Sequence, residues 1–127
     1  MSTKPSPAEL IEAVRLFLKD TVRPQLEGHT AFHAKVAENA LAIVERELAQ
    51  GPAAEAAARA RLQALLGTDT GDTGGLTRQL CQAIRTGEMS LATPGLLDHL
   101  RVTAIDRLNI DQPKYSGLAI ATKPDNS

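Results

Sequence analysis

The sequence predicts an all-α protein, a single domain built as a bundle of about five helices. Three observations carry this. Apolar residues recur at three- and four-residue spacing along most of the chain. Gly or Pro stands just past the end of each such stretch. No segment sustains the apolar–polar alternation of a half-buried strand. The length of 127 residues is that of one domain. A composition 43% hydrophobic and 23% charged suits a globular chain. The aromatics are Phe17, Phe32 and Tyr115, so the core must come from Leu, Ala, Val and Ile.

Residues 1–5 read as a flexible polar arm and 6–112 as the bundle. Ser6-Pro7-Ala8-Glu9 is a capping box, with Pro7 where a missing amide costs nothing. The first helix then runs to about Val22, with Leu10, Val14, Phe17, Leu18 and Thr21 on one side. Pro24 and Gly28 mark its end. The second helix runs from about Thr30 to Gln50 and stops at Gly51-Pro52. Its stripe is Phe32, Val36, Ala40, Ile43, Val44 and Leu48. The third runs from about Pro52 to Leu66, opening on an alanine-rich turn that favours helix. Gly67 to Gly75 reads as a mobile surface loop. The fourth helix follows from about Leu76 to Thr86, with Leu80, Ala83 and Ile84 inward and Gly87 as its stop. Thr93-Pro94 opens the fifth, which runs to about Asp111 on a stripe of Leu96, Leu97, Leu100, Ala104 and Leu108. Residues 113–127 show little periodicity and are expected to be a disordered tail.

Charge and cysteine usage narrow the function. Fourteen basic residues stand against fifteen acidic ones, which excludes a strongly basic nucleic-acid footprint. No apolar run approaches the ~20 residues needed to cross a bilayer, and the N-terminus has no apolar export signal. Cytoplasm is therefore the expected compartment, without a membrane partner. Cys81 is the single cysteine, which excludes an internal disulfide and a multi-cysteine zinc site. Asp69 and Asp72 in the glycine-rich loop lack the further ligands of a calcium loop.

Two constellations could carry chemistry. His29 and His33 are four apart, and with Glu47 they fall within the apolar stripe of the second helix. Two imidazoles at this spacing can share a metal, but no third ligand is in sight and the segment lacks the internal Glu of a metalloprotease motif. The plainer reading places His29 in the entry turn and makes His33 a hydrogen-bonded core residue, with no tight metal site. His99 falls well off the stripe of the fifth helix. Arg107 lies in that stripe, with Asp111 one turn later. A buried charge is costly unless paired, so an interhelical Glu47–Arg107 ion pair is expected. Alternatives are an Arg107–Asp111 pair or an anionic ligand held by Arg107. No nucleophile elbow or other catalytic set is legible, so no cofactor is expected.

The segment Ala31–Pro52, the segment His99–Ser116 and the start Pro7-Ala-Glu-Leu-Ile-Glu-Ala-Val resemble a small bacterial family, domain of unknown function 6285. The resemblance covers about residues 7–116. It brings no catalytic residues. Members of the family look similar to proteins encoded beside, or fused to, aminoglycoside-phosphotransferase-like kinases and acyl-CoA dehydrogenases. The resemblance therefore implies an accessory role near acyl-CoA metabolism, with such a kinase-like or dehydrogenase neighbour as protein partner. Together these readings point to a non-catalytic helical interaction domain, self-association included. The alternative is a bundle that binds a metal, or an anionic or acyl ligand, through His29, His33, Glu47, Arg107 and Asp111.

Overall fold

The computed structural model describes residues 4–122. Among these the chain is all-α, with no strand. The α-helices are α1 (Pro7–Phe17), α2 (Gly28–Leu66), α3 (Thr73–Thr86), α4 (Leu96–Asp111) and α5 (Ser116–Thr122). They fall into two compact units that divide between Gly51 and Pro52.

The first unit is a helical hairpin. Its entry is the expected capping box: the Glu9 amide donates to the Ser6 hydroxyl at 3.1 Å, and the Ser6 amide donates to the Glu9 carboxylate at 3.3 Å. Past Phe17 the winding loosens into a π turn over Leu18–Val22, then tightens into a 3₁₀ turn at Arg23–Gln25. This has a geometric effect. Arg15 and Arg23 are eight residues apart, which in an α-helix overshoots two full turns by ~80°. A π turn holds about one extra residue, so both arginines return to the flank that meets α2. There Arg15 forks onto Glu45 through Nε and a terminal nitrogen, and Arg23 does the same to Glu38, at 2.6 and 3.2 Å. These two bidentate bridges fix an antiparallel register between α1 and α2.

The expected break at Gly51-Pro52 is absent, and two expected helices are one. Pro52 removes a single amide donor from α2, at about 3 kcal/mol. Helix-favouring residues on both sides offset this. Gly51 also does not take the left-handed conformation that ends helices at Gly67 and Gly87, where φ is 67° and 83°.

The second unit holds the apolar core. Leu62, Leu76, Leu80 and Leu96 are buried together, with Leu65, Leu66 and Met89 packed against them. α3 begins three residues earlier than the sequence suggested, because Asp72 acts as N-cap and accepts from the Gly75 amide at 2.7 Å. The loop after Gly67 is correspondingly shorter. α4 begins at Leu96 and buries Leu96, His99 and Ile110. Leu97 and Leu100, expected to point inward, are exposed. The expected tail contains α5, which buries Leu118. Residues 1–3 of the expected arm and 123–127 of the expected tail lie outside the described residues.

Candidate functional site

The first unit lacks a core of its own. Among its described residues one is buried, and it is a carboxylate, Glu38. The amphipathic stripes read from the sequence are real, but much of each faces solvent. On α1 the line Leu10, Val14, Phe17 is exposed, and on α2 so is the line Phe32, Val36, Ala40, Val44, Leu48. The seven large residues of these lines are 41–63% exposed. Ile11, Leu18 and Leu41 are half-buried.

The two lines share one side of the hairpin. The bridges Arg15–Glu45 and Arg23–Glu38 set the register, so Leu10 and Val14 stand level with the Val44–Leu48 turns. The α1 line lies about 100–160° from Arg15, and Val44 and Leu48 lie about 60–100° from Glu45 in the same rotational sense. In an antiparallel pair, offsets in the same sense fall on the same side. Leu10, Val14, Phe17, Val44 and Leu48 therefore form a single apolar face, and Val36 and Phe32 continue it along the outer side of α2.

The polar residues singled out from the sequence are distributed differently from expectation. His33, expected on the buried side of its helix, is exposed, with its ring edge-on to Phe32 at 5.8 Å. The stripe that holds it is exposed on the hairpin, and that is the physical reason. His29 is exposed in the first turn of α2. Glu47 is exposed near the end of the first unit, its side chain lying over Gly51. Arg107, read as lying in a buried stripe, is exposed: it stands at the edge of the arc that α4 buries, Leu96-His99-Ile110. It donates to Asp111 from Nε at 2.8 Å and from a terminal nitrogen at 2.6 Å, the same-helix pair named as an alternative. Among the described residues no group of three or more His, Cys, Asp or Glu side chains is placed to hold a metal ion. Cys81 is a free thiol at the surface.

One polar cluster escaped sequence reasoning. His99, set aside as off the stripe, is 5% exposed within the second unit. Arg61 donates from Nε to His99 Nδ1 at 3.0 Å and from a terminal nitrogen to the Thr103 hydroxyl at 3.2 Å. Burial, and then the Arg61 charge, push the His99 imidazole below its ordinary range, while Asp98 opposes this. The ring is thus held neutral, with its proton on Nε2. The signal was a second helical line on α4, Leu96-His99-Thr103-Ile110, masked by the richer leucine line beside it.

Comparison with known families gives a match to the model of a domain of unknown function, DUF6285, over residues 24–115. This chain belongs to the DUF6285 family. The DUF6285 match takes in the whole of α2 through α4 and leaves α1 outside it. The apolar line of α2 is therefore part of the DUF6285 region of the chain. No curated protein and no solved structure matches the chain. Among the described residues no helix is long and apolar enough to cross a membrane.

Proposed function

We propose that this chain works by protein contact, as a non-catalytic helical accessory module whose docking face is the apolar side of the α1–α2 hairpin. The carrying observation is the hairpin's inverted burial: seven of its large apolar residues are exposed while Glu38 is buried. One layer of helices becomes stable by burying its apolar stripe against another layer. Contiguous exposed apolar patches of several hundred Å² mark interaction sites. The partner therefore presents an amphipathic helical surface to this face. An accessory role beside a kinase-like or acyl-CoA dehydrogenase protein, as the family resemblance implies, fits such a module.

Site-specific photocrosslinking in the native host tests this. A photoreactive residue replacing Val36 should give adducts that map to an apolar helical segment of the captured protein, and a Val44→Glu change should abolish them. The same group replacing Arg59 serves as control. Equal adduct yields at the two positions would overturn the reading.

A further inference from the structure

We infer that the occupant of this face is a second copy of the chain, packed antiparallel across a two-fold axis beside Ala40; this rests on the docking reading above. The α2 line is Phe32, Val36, Ala40, Val44, Leu48. It is nearly palindromic about Ala40. In an isologous interface each residue meets its mirror position, so contacts must pair positions symmetric about the axis. Here Val36 meets Val44 of the other copy, Phe32 meets Leu48, and Ala40 meets itself. An unrelated partner would impose no such symmetry.

Three further observations agree. The line follows the four-residue ridge of the helix, and two such ridges interdigitate at a crossing of roughly −50°. Helices that cross are closest at the centre and diverge outwards. The small residue, Ala40, is at the centre, and the largest, Phe32 and Leu48, are at the ends. Polar residues beside the line obey the same symmetry: His33 and Glu47 are each seven positions from Ala40, so an imidazole faces a carboxylate at either end. The four large side chains paired across the axis are 41–63% exposed and offer on the order of 350 Å² of apolar surface from each copy, the apolar centre of a small interface.

Sedimentation velocity of the full chain, from about 1 to 100 μM, is the test. The wild type should sediment as a dimer. Ala40→Glu and Val36→Glu should each weaken association by at least about a hundredfold. Retained helical circular dichroism and amide protection in α3 and α4 would show that both variants still fold. Mixing Val36→Glu chains with Val44→Lys chains should restore dimers. In that heterodimer one facing pair becomes oppositely charged and the other stays Val against Val. A wild type that is monomeric throughout overturns the inference, as do variants that dimerise like wild type or a mixture that recovers nothing. If the wild type is monomeric while the crosslinker at position 36 captures a different protein through an apolar helix, the docking reading stands and self-pairing is wrong.

Discussion

The Arg23–Glu38 bridge should be worth far more from one side than from the other. The Glu38 side chain is 8% exposed and that of Arg23 34%. Replacing Arg23 by Met strands a carboxylate that water barely reaches. Breaking a fully buried pair costs ~3–5 kcal/mol and an exposed one ~0–1 kcal/mol. The partial exposure of Arg23 lets some water into the gap, so about 2–3 kcal/mol is expected for Arg23→Met. Glu38→Leu removes the buried charge itself and leaves a guanidinium that can turn to solvent, at about 1 kcal/mol. The double variant should cost no more than about 1 kcal/mol, because an apolar pair of similar volume replaces a desolvated ion pair. The assay is urea unfolding at fixed protein concentration. It is read by circular dichroism and by hydrogen exchange of the α2 amides before Gly51, which separates the hairpin from the second unit. Equal single costs that add to within ~0.5 kcal/mol would refute the reasoning, because they would show that the two groups do not depend on each other.

The remaining expectations concern the second unit. His99 is held below the ordinary histidine value, so the unfolded state takes up its proton first as pH falls; stability should be constant above ~6.5 and decline below it until the folded-state value is passed. His99→Gln should flatten that decline in urea midpoints measured between about pH 7.5 and 5, and an unchanged slope would show that His99 is not its source. Leu76→Ala should cost ~2–5 kcal/mol in chemical unfolding, because Leu76 is 1% exposed at the centre of the leucine cluster. Arg107→Ala and Asp111→Ala should couple by no more than about 0.5 kcal/mol in a double-mutant cycle on the same midpoint, since their mutual pair is solvent-exposed; a larger coupling would refute this.

Local signals were the legible part of this fold. The Ser6 capping box and the glycine stop at Gly87 need only neighbouring residues, and both are present as read. The apolar periodicities were legible too, but periodicity reports a face and not what covers it. For Leu10, Val14, Phe32 and Val36 that face is exposed on the hairpin. Pro52 was read as a stop because its own cost is local, whereas the compensation comes from many helix-favouring neighbours. α5 has seven residues, too short to display a period. His99 was passed over because its partner, Arg61, is 38 residues away, and no local pattern announces a contact at that separation. Of the candidate site residues, Arg107 and Asp111 could be paired from their four-residue spacing alone.

The π turn at Leu18–Val22 has a consequence for chain length. It stores one residue of slack between two arginines that must both face α2. Deleting one residue from this stretch, Asp20 for instance, would leave seven between-steps from Arg15 to Arg23, close to two ordinary α turns of 3.6 residues. Both forks onto Glu45 and Glu38 would then survive in a uniformly wound helix. Deleting two would swing the second arginine ~100° further, off its carboxylate. Homologues should therefore tolerate a single-residue gap here but not a double one, because the irregular winding holds one residue more than the two forks require.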